Sequence, residues 1–141
     1  MDLQFQVAQG RVLDVKELRV DGVPVRPSAG SSYLYTHNLT LTEPPSESQL
    51  RFNAAAPYTA VTRVWARYHT VDGEDVGRVL LVTVKAGSVL YVQDRDDAAR
   101  NVSFTVTAAP VDKATYVEFV VTFRSAESAL LAQQVRLYTV A

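Results

Sequence analysis

Residues 102–107, Val-Ser-Phe-Thr-Val-Thr, and 115–123, Thr-Tyr-Val-Glu-Phe-Val-Val-Thr-Phe, repeat their apolar positions with a period of two. Successive side chains of a strand point to opposite faces, so this spacing builds a sheet with one buried face and does not suit a helix. β-branched and aromatic residues dominate both runs, as a pleated, half-buried surface prefers. Between them 108–114, Ala-Ala-Pro-Val-Asp-Lys-Ala, carries proline and aspartate, which favour a turn. The two runs therefore read as a hairpin.

The same reading extends along the chain. Residues 88–94 form an alternating run that is separated from the 102–107 run by a charged knot, Asp94-Arg95-Asp96-Asp97-Ala98-Ala99-Arg100. Residues 61–70 run into Asp72-Gly73, and 18–20 into Asp21-Gly22; Asp-Gly favours a turn whose positive φ glycine supplies cheaply. Pro24 cannot donate to a ladder, so its strand is expected at an edge. Residues 33–42 and 135–140 complete the strand set. The valine-rich stretch 76–87 is read as a further strand, and 125–133, Ser-Ala-Glu-Ser-Ala-Leu-Leu-Ala-Gln, as one or two helical turns on propensity. The total is about nine or ten short strands with little helix, a spacing typical of all-β folds. The expected architecture is a single-domain β-sandwich or partly open β-barrel.

Glu43-Pro44-Pro45-Ser46-Glu47-Ser48 interrupts any regular element. It suggests a division into residues 1–45, an N-terminal hairpin or arm, and 46–141, the β-sandwich or barrel core, packed as one compact unit. Such an arm, with exposed sheet edges to receive it, could add a strand to a neighbouring subunit through main-chain hydrogen bonds.

Composition narrows the function classes. The chain has 141 residues, 48% of them hydrophobic and 21% charged, which fits an ordinary globular domain. Its formal net charge of −1 gives no electrostatic reason to expect nucleic acid or an anionic membrane as partner. There is no cysteine, which removes disulfides, thiolate metal sites and cysteine nucleophiles. The N-terminal residues lack the basic and apolar regions of a signal peptide, so synthesis in a cytoplasm without export is expected. The sequons at Asn38 and Asn101 then carry little weight.

The candidate chemistry is thin. Asp94, Asp96 and Asp97 could ligate a cation, but an EF-hand count from Asp94 puts Ala98, Ala99 and Thr105 where an oxygen ligand, glycine and glutamate belong. Arg95 and Arg100 offset the charge, so the expected structure is a solvated hairpin tip. Glycoside hydrolysis needs carboxylates held across a cleft, which adjacency on a loop does not provide. His37 and His69 lie far apart without metal-ligand spacing. No nucleophile elbow, phosphate loop or dinucleotide fingerprint occurs. The reading is of a non-enzyme without cofactor. Aromatic residues on the expected strands, Tyr33, Tyr35, Trp65 and Tyr68 among them, serve either packing or an interaction surface, since aromatic rings anchor protein interfaces and stack on sugars.

One segment carries a resemblance. Gly87-Ser88-Val89-Leu90-Tyr91-Val92-Gln93-Asp94-Arg95-Asp96-Asp97, followed by Thr107-Ala108-Ala109-Pro110-Val111-Asp112 and Thr115-Tyr116-Val117-Glu118, resembles a family of small β-rich virion structural proteins of tailed bacteriophages. Leu50-Arg51-Phe52-Asn53 and Arg67-Tyr68-His69-Thr70-Val71-Asp72-Gly73 are similar to its earlier strand and turn. The resemblance spans about residues 48–141; Asn101-Val102 departs from the aromatic or arginine expected after the acidic loop. It implies a component of a particle, with no catalytic residues to transfer. The expectation is a capsid decoration or cement protein, localised to the virion and contacting the major capsid protein or other virion proteins as a homo-oligomer, a trimer or dimer. A tail, baseplate or fibre-associated module is the alternative within particles. A carbohydrate-binding module built on Trp65 and the tyrosines is the alternative from another class, and an unrecognised hydrolase ranks last. The interaction surface is expected among Trp65, Tyr68, Tyr33, Tyr35, Asp94, Asp96 and Asp97.

Overall fold

The computed structural model describes residues 32–140. The expected hairpin at Asp21-Gly22, the edge strand of Pro24 and residues 1–31 of the expected arm lie outside the described residues. Among the described residues there are eight strands and one helix: β1 (Ser32–His37), β2 (Gln49–Phe52), β3 (Arg63–Arg67), α1 (Gly77–Thr83), β4 (Val89–Asp94), β5 (Asn101–Val106), β6 (Val111–Asp112), β7 (Tyr116–Ala126) and β8 (Gln134–Val140). The all-β class read from the sequence is the class found.

Seven strands close into a barrel in the order β3-β2-β1-β8-β4-β5-β7, with β7 returning to β3 and β6 added beside β7. Every pairing is antiparallel except β1–β2, where Thr36 lies opposite Gln49. The eleven-residue β7 makes closure possible. Its first half pairs with β3 through Arg63↔Val120 to Arg67↔Tyr116, and its second half with β5 through Val106↔Val121 to Val102↔Ala126. Of the two expected architectures the barrel is therefore the one formed, and it is closed. Closure uses up the sheet edges that the arm reading called for, because each barrel strand has neighbours on both sides; β6 alone is bonded on one side among the described strands.

The strand ranges follow the period-two pattern. Along β4, Leu90, Val92 and Asp94 are buried while Val89, Tyr91 and Gln93 are half-buried. Inward residues fill the barrel: Tyr35, Leu50, Phe52, Leu90, Phe104, Phe119 and Leu137 are all at or below 1% exposure. Phe52 meets Phe104 and Tyr58 edge-on with ring centroids at 5.3 and 5.4 Å. Burying one such ring contributes about 1.5–3 kcal/mol, so this aromatic triplet is a principal source of stability.

Both barrel ends are plugged, and both plugs correct the sequence reading. Residues 76–87 were expected as strand, yet Gly77–Thr83 is helical. The buried positions Val76, Leu80 and Val84 recur every fourth residue, a helical spacing, and their side chains join the core at the end where β1, β2, β4 and β7 begin. Valine content favoured strand locally, but burial of that stripe outweighs a propensity difference of a few tenths of a kcal/mol per residue. Residues 125–133 were expected as helix, but β7 runs to Ala126 and the rest is a loop. Its amides bond to neighbouring segments: Glu127 N–H donates to Asn101 O, Ser128 N–H to Ala99 O, and Leu130 N–H to the Tyr58 hydroxyl at 2.9 Å. Leu130, Tyr58 and Val61 close this second end.

The Asp72-Gly73 turn forms as expected, with Gly73 at φ 84° and Gly73 N–H donating to Thr70 O. The proline-rich stretch 43–48 is a loop joining β1 to β2, two strands of the same barrel. Ser32–His37 thus sits between β2 and β8, and the described residues form one compact unit across the expected 45/46 division.

Candidate functional site

The residues singled out in the sequence fall into three separate places. Tyr33, Tyr35 and Tyr68 gather near the α1 end. Tyr35 is fully buried and its hydroxyl donates to Arg67 O at 2.8 Å; burial holds its pKa well above the ordinary tyrosine value. Tyr33 packs half-buried against the core, and burial together with Glu74 raises its pKa. The Tyr68 ring lies against the backbone of Gly77, where an added Cβ would stand 2.5 Å from ring carbon Cδ1. Its hydroxyl donates to Asp112 on β6, and that bond pushes the phenol up to about 12 while lowering the Asp112 carboxyl. Tyr68 thus ties α1 and β6 together. His69, just past β3, faces Asp75 at 3.9 Å in the solvent.

Asp94, Asp96 and Asp97 lie at the opposite end, Asp94 closing β4 and the other two on the loop that joins it to β5. The solvated tip expected there needs correcting for Asp94, which is 2% exposed. Its Oδ1 accepts from Asp96 N–H at 2.8 Å and Asp97 N–H at 3.0 Å, so the carboxylate shapes the turn from inside. Asp96 pairs with Arg95, which lowers its pKa, and Asp97 pairs with Arg100 at 3.5 Å. The three carboxylates therefore point to three different partners. Among the described residues no group of three histidine, aspartate or glutamate side chains is placed to hold a metal ion. At the same end, His37 is buried beside Phe52 and its Nδ1–H donates to Leu131 O at 2.9 Å; burial lowers its pKa.

Trp65 stands on the barrel wall. It alternates with the inward Val64 and Ala66, so it points outward, yet it is only 5% exposed. As an exposed platform it needs correcting together with Tyr35: both rings are covered. Its indole N–H donates to Glu118, the residue opposite on β7. Glu118 also faces Arg63 at 3.7 Å and Lys113 at 3.8 Å. The segment 42–47 lies along this face, pinned by wall side chains. Arg51 donates to Thr42 O at 3.1 Å and Arg67 to Pro45 O at 3.1 Å. Arg67 also faces Glu47 at 3.6 Å, and Glu43 takes Lys113 at 3.7 Å and the Tyr116 hydroxyl. Burial and the Glu43 carboxylate push Tyr116 up to about 12.

This ring of Arg51, Arg63, Arg67, Lys113, Tyr116 and Glu118 around Trp65 was not picked out from the sequence. Part of its signal was there: Arg63, Trp65 and Arg67 occupy alternate positions and so share the outward face of β3. The contributions of β7, Lys113 and the loop needed the fold.

Among the described residues, the large apolar side chains left most exposed all lie off the barrel strands. Leu39 (60%), Leu41 and Leu131 sit in loops leaving or approaching the β1-end and β8-start of the barrel, Val79 and Val82 (70%) on α1, and Val111 on β6. Among the described residues no helix is long and apolar enough to cross a membrane.

Comparison with known proteins returns no family model that matches the chain, and neither a curated protein nor a solved structure that matches it. The fold and the site are accordingly described by their own geometry, that of a closed, filled β-barrel with plugged ends.

Proposed function

We propose that this protein is a non-enzymatic structural component of a tailed-bacteriophage particle, of the capsid decoration or cement kind, working through protein–protein contacts. The observation that carries the binding-module reading is the placement of exposed apolar side chains. Leu39, Leu41 and Leu131 stand beyond one end of the barrel, and Val79 and Val82 on the helix at the other. Solvent-facing large apolar groups clustered on a rigid scaffold suit docking surfaces. The polar residues that suggested chemistry are engaged in holding the fold: Asp94 in its turn, Trp65 with Glu118, His37 with Leu131 O. The assignment to a particle rests on the resemblance of residues 87–97 and 107–118 to small virion proteins. A homo-oligomer is the expected form, since repeated surfaces of a particle are covered by symmetric assemblies.

Electron microscopy of particles labelled with antibody against this protein tests the reading. Label distributed over the head is the expected result. Label confined to the tail would replace it with a tail or baseplate role, and unlabelled particles would remove the protein from the virion. The sugar-platform alternative is weaker, because Trp65 and Tyr35 are covered.

A further inference from the structure

We propose that the outward face around Trp65 is a docking site for an acidic, extended chain segment, and that residues 42–47 of this chain are its resident occupant. The segment offers the face two main-chain carbonyls, of Thr42 and Pro45, and two carboxylates, of Glu43 and Glu47. The face answers with Arg51, Arg67, Lys113 and the Tyr116 hydroxyl. Cations and hydroxyls on the wall thus meet carboxylates and carbonyls on the segment, a charge complementarity that a partner's acidic segment would reproduce.

The occupant is held in a way that permits exchange. Apart from one main-chain bond at its end, Gln49 N–H to Ser46 O, the contacts that fasten it come from side chains of the wall, and the ion pairs among them lie at the surface, where such pairs are individually weak and screened by salt. Its residues are exposed apart from Pro45. Beneath lies a different kind of surface. Trp65 is a large ring on the outside of a barrel, kept at 5% exposure, with its N–H already satisfied by Glu118. A tryptophan flanked by arginines is the composition of an interface centre. Local opening of a loop held this way requires far less than unfolding of the barrel. It uncovers the indole together with Arg67, Lys113 and Tyr116. The second occupant is a partner's extended segment carrying carboxylates at the Glu43 and Glu47 positions.

Trp65 is the only tryptophan in the chain, so its fluorescence reports on this face alone. The experiment measures acrylamide quenching of the full chain and of an E43A/E47A double variant, with circular dichroism to establish that the barrel is intact. The double variant is expected to show several-fold stronger quenching. A synthetic peptide of residues 42–48 is then added at millimolar concentration, comparable to the effective concentration a short tether provides. Shielding should return with this peptide and not with its Glu→Gln counterpart. Should the double variant fold poorly, the native chain tests the same point: quenching should rise with salt concentration. Quenching unmoved by both the double substitution and salt would overturn the resident-occupant assignment. Failure of the acidic peptide to restore shielding, or equal restoration by its Gln counterpart, would overturn the docking site.

Discussion

The indole Nε1–H of Trp65 on β3 donates to Oε1 of Glu118, its cross-strand neighbour on β7, at 3.0 Å. The pair sits on the seam that closes the barrel, where β3, at one end of the sheet order, meets the long β7. Replacing Glu118 with Ala leaves a covered indole N–H without its acceptor and removes the carboxylate facing Arg63 and one of the two facing Lys113. The expected loss is about 1–3 kcal/mol in urea unfolding. Glu118→Gln keeps an acceptor oxygen and forfeits only the surface ion pairs, so its cost should stay below about 1 kcal/mol. Equal losses in the two variants would show that charge, and not the hydrogen bond, holds the seam.

Gly77 and Tyr68 make a prediction whose sign runs against helix propensity. Alanine in place of a helical glycine ordinarily gains up to about 1 kcal/mol. Here the new Cβ would meet the Tyr68 ring at 2.5–2.8 Å, and the ring is held by its bond to Asp112. Gly77→Ala should therefore destabilise, by about 1–3 kcal/mol, as overpacking does. In a Tyr68→Ala background the same change should become neutral or favourable. A double-mutant cycle by chemical denaturation checks this, and additive effects would rule out the clash.

The acidic loop yields a ranking. Asp94→Ala removes the buried acceptor for two amides of the turn and should cost about 1–2 kcal/mol, the size of a lost cap. Asp96→Ala and Asp97→Ala lose only exposed ion pairs and should each cost less than about 0.5 kcal/mol. Because Asp94 Oδ2 is buried without a protein partner, Asp94→Asn should be milder than Asp94→Ala. Thermal melts with calcium and with chelator should superimpose. A clear upward shift with calcium would make the loop an ion site instead.

His37 sets an acid limit. Burial lowers its pKa below the ordinary 6.5, so the unfolded chain takes up a proton at a pH where the folded chain does not. Its contribution to stability is complete above pH 6.5 and is lost as pH falls from there through the lowered folded value. The melting temperature should decline over that interval, and His37→Gln should flatten the decline. An unchanged slope in the variant would assign the acid sensitivity to the carboxylates.

Legibility differed by the range of the interaction. The β4–β5 hairpin was read correctly because the period-two pattern and the turn residues lie within a few positions of each other. β5 and β7 do pair antiparallel, but the stretch 108–114 read as their turn holds β6, and the first half of β7 pairs with β3 instead. The acidic loop was placed at the right turn, but the inward direction of Asp94 was not seen, since it depends on continuing the Leu90-Val92 phase into the loop. The Trp65 face shows the limit most clearly. Arg63, Trp65 and Arg67 share a face by spacing alone, whereas Glu118 arrives from a strand 53 residues later in the chain.

Alternation, β-branched content, turn residues and the absence of cysteine were enough to establish an all-β fold without thiol chemistry, because these depend on each residue and its near neighbours. The tertiary structure decided the rest. Whether the sheet closes depends on β7 reaching both β3 and β5, a matter of register that no local pattern states. Whether residues 76–87 become strand or helix depends on which stripe can be buried at an open barrel end, and that burial outweighs valine's preference for strand. Whether a tryptophan on an outward face is exposed depends on neighbours from other parts of the chain, such as Glu118 on β7 and the loop bonded to Arg51 and Arg67 beside it. Local free-energy differences of tenths of a kcal/mol set the strands; long-range burial worth several times more set their closure, their plugs and the covered face.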